Sequence, residues 1–288
     1  MRAASLTRMQ VRSLGFRTDL MVRRLAGATI TEYDHHLVVR TPDNPWFHWG
    51  NFFLLDAPPG QGEMEEWIAR FRREFPGAGH VSLGIDGTEF PAAQSYPSSV
   101  GLEVDLGVVL TRDGAPESTP TDRSASVTVR RLHTDGDWRQ EMLLRLEEGA
   151  EEGSLPLHHA EFVERRTAEA ARLVEAGTAQ YFGAFHAGRL CSVVGIASDG
   201  WGVARFQNVA TRADYRRQGL ASQLVRVAGA FGVASMGARR LVIVADHGGP
   251  AARLYRSLGF SPVEAQLGLS VSTGEGGPSA RTASAHTP

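Results

Sequence analysis

The sequence contains no lysine: all 30 of its Lys-plus-Arg positions are arginine. Chemistry that needs a primary amine on the protein is therefore excluded, including Schiff-base catalysis, attachment of pyridoxal phosphate and the phosphate-gripping lysine of a Walker A loop. Cysteine is almost as scarce, with Cys191 the one example among 288 residues. An internal disulfide and a cysteine-cluster metal site are thus ruled out, which fits a reducing compartment. Cys191 falls in the apolar run LCSVVGIA and reads as a small buried hydrophobe rather than a nucleophile. No run of about 18 apolar residues is present, and the N-terminal MRAASLTRMQVRSLGF has arginines without the apolar core of a signal peptide. A cytoplasmic protein that neither leaves the cell nor touches a membrane is expected. Finally, a formal net charge of −2 gives no broad basic field. Nucleic acid is not an expected partner, and any anion site has to be local.

What is present divides the chain in two. Residues 113–126, DGAPESTPTDRSAS, have the composition of a linker, and the last stretch, 271–288, VSTGEGGPSARTASAHTP, that of a disordered tail. The expected organisation is a first α/β domain over 1–115, a linker over 116–126 and a second domain over 127–270. In the second, SVTVRRL reads as a strand, DWRQEMLLRLEEGA and HHAEFVERRTAEAARLVEAG as helices, and AQYFGAFHAGRLCSVVGIAS as a hairpin turned at Ala187-Gly188. GVARFQNVAT is a further strand. A helix follows from about Ala221 to Met236 with apolar residues at Leu220, Leu224, Val227, Ala228 and Phe231, then the buried strand LVIVA and the short helix of GPAARLYRSLGF. The fold class is α/β, a mixed sheet covered by helices. The first half repeats part of this order: FFLLDAPP, the Trp67 helix and HVSLGID occupy the places of FQNVATR, the Leu224 helix and RLVIVAD. A degenerate duplication and two unrelated α/β folds in series both remain open.

The chemistry concentrates at YRRQGLAS, residues 215–222. A glycine turn entering a helix aims several backbone N–H groups at one point, the helix start adds partial positive charge, and two arginines stand at the rim. That is a local phosphate site, or simply a turn. Its partner lies later, in A-x-x-L-Y-x-x-x-G-F from Ala251 to Phe260. The order strand, R-x-x-G-x-A, amphipathic helix, buried strand and this second motif resembles the GCN5-related N-acetyltransferase (GNAT) family over residues 127–270. The resemblance implies a tandem GNAT-like fold, with a mixed, mostly antiparallel sheet, and a first half that has lost its cofactor loop.

It also implies transfer of an acetyl group from acetyl-CoA to a small-molecule or peptide amine, by a monomer or homodimer. Backbone amides of Arg217, Gln218, Gly219, Leu220, Ala221 and Ser222 would cradle the pyrophosphate, with Arg216 opening the motif. Val209, Ala210 and Thr211 would pair with the pantetheine arm as a missing strand does. Tyr255 matches the tyrosine that protonates the departing thiolate, although Ala251, Leu254, Tyr255 and Leu258 also form one helical face suited to a core. The family's asparagine is missing where Gly248 and Gly249 stand, and its glycine after the first arginine is here Arg217. No acidic residue lies on GVARFQNVAT, so His158, His159, Glu161 and His186 are the candidate general bases. The first half has no such loop: DAPPGQGEME carries acids at the helix start, which repel pyrophosphate. The patch Asn44, Trp46, His48, Trp49 and Asn51 suits either packing between the halves or an acceptor pocket. Adjacent histidines without a third ligand give no metal site. A non-catalytic acyl-CoA-binding regulatory module and a tandem enzyme with two working sites are the rival readings.

Overall fold

Two carboxylates fix where the first helix starts. Asp86 accepts hydrogen bonds from the Arg12 and Ser13 amides (2.8 and 2.9 Å), and Glu264 accepts from the Leu14 amide at 2.6 Å. Negative charge beside a helix N-terminus satisfies amides that lack intrahelical partners. The Ser13 hydroxyl adds an N-cap to the Phe16 amide, and α1 (Leu14–Leu25) follows, burying Phe16, Leu20, Met21 and Val22. This helix is not among the elements expected from the sequence.

The computed structural model describes residues 9–60, 62–89, 102–117, 126–151 and 157–272. After α1 come β1 (Thr29–Glu32), β2 (His36–Arg40), β3 (Phe52–Leu55), α2 (Met64–Glu74), β4 (His80–Ile85) and β5 (Glu103–Asp113). The second half supplies β6 (Val127–Arg131), α3 (Asp135–Glu151), α4 (His159–Glu175), β7 (Ala179–His186), β8 (Arg189–Ala197) and β9 (Val203–Thr211). It ends with α5 (Leu220–Ala234), β10 (Arg240–Asp246), α6 (Pro250–Ser257) and β11 (Ser261–Ser272). The hairpin turns at Ala187 and Gly188, both at positive φ. GLEVDLGVVLTRD forms one strand, and β11 runs two residues into the expected tail. Residues 118–125 of the expected linker and 273–288 of the tail lie outside the described residues. Among the described residues no helix is long and apolar enough to cross a membrane.

Eleven strands among the described residues make one mixed, mostly antiparallel sheet, in the order β1-β2-β3-β4-β11-β5-β10-β9-β8-β7-β6. The halves are not laid side by side in chain order. β5, from the first half, lies between β11 and β10 of the second; β11 in turn lies between β4 and β5. Reversing the central order β4-β11-β5-β10 exchanges β4 with β10 and β11 with β5, so the two halves are related by a pseudo-twofold axis. The same correspondence matches β3-α2-β4 with β9-α5-β10, each a parallel pair joined by a helix. This is the duplicated pattern visible in the sequence. Strand exchange places Val108, Val109 and Leu110 of β5 and Leu269 of β11 fully out of water. Each such burial stabilises by about 1.5–3 kcal/mol, shared between halves.

The loop before β3 is folded by the Asn51 side chain, which donates to the Asn44 and Phe47 carbonyls and accepts from the Thr41 amide. Beneath it His48 and His80 stack with ring centroids 4.0 Å apart. Burial pushes His80 down to about 4, and burial together with the His80 charge pushes His48 down to about 3. Both rings are thus neutral when folded, while the unfolded chain binds protons from about pH 6.5 downward. Below that pH the unfolded state holds more protons, so stability rises with pH between about 4 and 6.5 and falls on acidification. The urea midpoint should drop steeply across that interval. His80→Gln, starting from a less stable protein, should show a visibly flatter profile there.

Candidate active site

β9 and β10 run parallel, but they pair only at Val203, Ala204 and Arg205 against Arg240, Leu241 and Val242. Beyond Arg205 they part. On its other side β9 stays bonded to β8, where Gly195 faces Gln207 and Val193 faces Ala210, so Asn208 and Val209 stand against one residue. This bulge bends β9 away from β10. Asn208 adopts φ 51°, a region asparagine tolerates. Its carbonyl accepts from Arg145 at 2.5 Å and its side chain donates to the Tyr181 hydroxyl at 3.1 Å. Arg145 is held in turn by Glu141 (3.1 Å) and Glu148 (2.9 Å) on α3. The side chains of Val209 and Ala210 are buried in the core, leaving only main chain to face the gap.

The parted strand leads through Thr211 and a 3-10 turn, Ala213–Tyr215, into the loop and α5. Gly219 takes φ 79° as the N-cap, and the first helical bond runs from the Gln223 amide to the Gly219 carbonyl at 3.1 Å. The amides before Gln223 have no intrahelical acceptor. They border a cleft of about 290 Å³ whose walls include Thr211, Arg217, Gly219, Ala221 and Ser222. Two side chains of the loop are engaged within the protein. Arg216 ion-pairs with Glu151 (2.6 Å) and donates to the Thr211 carbonyl, and Gln218 donates to the Asp214 carbonyl. Arg217, standing where the family has glycine, is at φ 60°.

Tyr255 is fully buried in the core cluster, and among the described residues its hydroxyl has no hydrogen-bond partner. Burial raises its pKa, so the phenol keeps its proton; the charges of Arg205 and Asp246 both act on it. Arg205 and Asp246 line a second space, a cavity of about 70 Å³ between the halves. The first half contributes Asp19 and Arg23 from α1, Phe47, Trp49 and Asp105; α4 contributes Arg166. Gly268 of β11 has no Cβ, and one placed there would fall 2.4 Å from the Trp49 ring, so glycine is what lets the indole lie on the strand.

None of His158, His159, Glu161 and His186 lines this cavity. His158 stacks on Trp46 at 3.7 Å, Glu161 pairs with Arg165, and His186 shares a hydrogen bond with the Tyr215 hydroxyl at 3.0 Å. Burial lowers the pKa of His159. The carboxylates that do face the cavity are Asp19, Asp105 and Asp246. The aromatic patch divides its work: Asn44 donates to the Phe162 carbonyl of α4 and Trp46 stacks on His158, whereas Trp49 and its neighbour Phe47 wall the cavity. Cys191 is buried, with its thiol pushed up by burial. Among the described residues no group of three or more potential ligands could hold a metal.

Among the described residues the first half has no equivalent parting of strands. β3 and β4 stay paired to their C-terminal ends, Leu55 against Ile85. In the turn that follows, the Glu63 carboxylate already accepts from the Gly60 amide at 2.7 Å, so the start of α2 carries its own anion.

Residues 177–262 match the family model of the acetyltransferase (GNAT) domain, and this part of the chain is a GNAT domain. No curated protein matches the chain in sequence. Among solved structures, a functionally unknown conserved protein from Staphylococcus epidermidis aligns with TM-score 0.65 and 12% identity, over 84% of this chain and 92% of its own. A GCN5-related N-acetyltransferase from Kribbella flavida aligns with TM-score 0.55 and 15% identity, over 91% and 97%. A tandem GNAT protein from the clavulanic acid biosynthesis pathway aligns with TM-score 0.50 and 15% identity, over 90% and 88%. At such identities the likeness is one of fold, and it spans both halves: the architecture is a tandem GNAT fold.

The loop backbone makes opposite demands at its two left-handed positions. Gly219→Ala should lower the unfolding free energy by about 1 kcal/mol. Arg217→Gly relieves comparable strain against a similar gain in unfolded-chain entropy, and should not lower it. Chemical denaturation of the two variants checks the contrast.

Proposed function

We propose that the chain is an N-acetyltransferase with one working site, in the second half, using acetyl-CoA as donor and a primary amine as acceptor. The observation that carries this reading is the parting of β9 from β10 directly upstream of the amides that open α5. An unpaired strand edge needs main-chain partners, and a peptide-like arm ending in pyrophosphate supplies both halves of the match. The residues fit that group: the edge at Val209, Ala210 and Thr211, the amides of Arg217 to Ser222, and a buried Tyr255 hydroxyl lacking a partner.

Bound acetyl-CoA supplies an activated acetyl thioester. The main chain of β9 would hold the arm and offer amides to polarise its carbonyl. Arg217 adds charge at the cleft, while Arg216 keeps the loop in place by tethering Thr211 to α3 through Glu151. Tyr255 holds a proton at Oη, and burial keeps the phenol neutral until a thiolate departs. On the acceptor side the amine has to be neutral. Asp246, at the end of β10 where the strands part, takes its proton in place of the absent strand carboxylate. The first half walls the acceptor cavity and binds no cofactor.

Gly219→Glu fills and charges the loop and should abolish acetyl-CoA binding; unchanged affinity by calorimetry would remove the cofactor assignment. The same titration of the unaltered protein should return one coenzyme A per chain, and two would revive a second working site. Tyr255→Phe should reduce kcat at least tenfold with cofactor affinity preserved, whereas an unaltered rate would leave Tyr255 a core residue. A thiol-release assay over a broad amine panel separates catalysis from acyl-CoA sensing: steady release requires an enzyme.

A further inference from the structure

The cavity between the halves is lined by charges of both signs. On the helical side Arg23 donates through both terminal nitrogens to Glu169, at 3.2 and 3.0 Å, and Arg166 donates to the same carboxylate. Two guanidiniums therefore share one anion, with side-chain exposures of 5% for Arg23, 13% for Arg166 and 4% for Glu169. Both guanidiniums lie over the Phe47 ring, at 4.8 and 4.4 Å, which offsets part of the surplus charge. Next to them Arg205 pairs with Asp19 at 2.9 Å, and its Nε is buried without a hydrogen-bond partner among the described residues. Counting all five groups, three cations face two anions. Burial and the neighbouring Arg166 charge pull the Arg23 guanidinium below its ordinary value, the direction expected where positive charge is in excess.

Two further carboxylates stand on the strands, on the sheet face from which Arg205 also rises. Asp246 lies opposite Gly107 in the β10–β5 ladder, and Asp105 is two residues from Gly107, hence on the same face of the sheet. Asp105 also stands beside Gly268, where Trp49 closes the wall. The space is about 70 Å³, roughly half the apolar cavity of about 150 Å³ that accepts benzene, and it opens to solvent beside the exposed Asp246.

We propose that the acceptor is a small amine that also carries a carboxylate, a free amino acid or a close derivative, bound with its carboxylate at Arg166, Arg23 and Arg205 and its amine toward Asp246 and Asp105. This rests on the acetyl-transfer reading above and adds the class of acceptor. A carboxylate evens the charge on the arginine side and gives Arg205 Nε an acceptor. The ammonium meets the aspartates, which lie toward the parted strands where the thioester is expected. A polyamine leaves the arginine surplus unmet.

The test uses full-length protein, saturating acetyl-CoA and thiol release, with matched acceptors: alanine, alaninamide and ethylamine; phenylalanine, phenylalaninamide and 2-phenylethylamine; and spermidine. At least one free amino acid should exceed its amide and its decarboxylated amine tenfold or more in kcat/KM. Arg166→Gln should reduce that preference at least tenfold, mainly through KM for the amino acid, and Arg166→Lys should recover part of it. Calorimetric titration of the preferred amino acid into the coenzyme A-loaded protein gives a readout without turnover, and its affinity should fall in Arg166→Gln. Release with amines, amides or spermidine equal to or above that with amino acids overturns the inference and leaves acetyl transfer standing. Equal losses on amino acid and amine in Arg166→Gln also overturn it. Acetyl-CoA binding with no release from any acceptor defeats both readings.

Discussion

A strand inside a sheet must satisfy its main chain on both sides, and β9 does so toward β10 only as far as Arg205. Much of the second half is arranged around that departure. The two residues of the bulge supply the bend, Arg145 and its two carboxylates on α3 hold the bent carbonyl, and Tyr181 holds the Asn208 amide from below. Arg216 then anchors the emerging loop to α3 through Glu151. A buried guanidinium between paired acids is costly to desolvate, and here its gain is geometric: it fixes a backbone shape that the strand alone would not keep. The gap is thus built into the fold rather than opened by whatever enters it.

The two halves show how one topology becomes a site or a wall. Where β9 and β10 separate, β3 and β4 stay zipped to their ends. Where the α5 entrance leaves amides for an anion, the turn into α2 already holds a carboxylate, Glu63 on the Gly60 amide. The first half nevertheless shapes the chemistry, because α1 is pinned across the sheet by Asp86 and Glu264 and carries Asp19 and Arg23 to the cavity. Those two carboxylates act on the site without touching it.

The legible parts of the sequence were those set by local chemistry. The loop glycine, the apolar spacing of α5, the continuous strand LVIVA and the motif around Tyr255 each announce themselves within a dozen residues, and together they give the second half. The repeat of β3-α2-β4 was readable for the same reason. Strand exchange was not, since whether β5 pairs with β10 is decided by residues in another half of the chain. The tether of Arg216 is not readable from the loop, because its counter-charge, Glu151, comes from a distant helix. The histidines looked like bases as lone residue types, but they occupy other surfaces. The cavity aspartates were invisible, each being an ordinary acid on its own element. The α1 helix does carry a local signal, Ser13 as N-cap followed by apolar residues at helical spacing.

The interleaving of β5 and β11 also sets the order in which the protein can come into being. During synthesis the first half emerges with β4 presenting an open edge, and β5 has no neighbour on either side until the second half follows. Both vacancies are filled only when β10 and then β11, the last strand, leave the ribosome. Neither half can complete its sheet ahead of the other, and pairings so remote in sequence are slow to close. Until then β4 and β5 are open templates for any passing strand, including the β11 of another copy. An accidental exchange of that kind would join two chains through the same register that normally joins two halves of one.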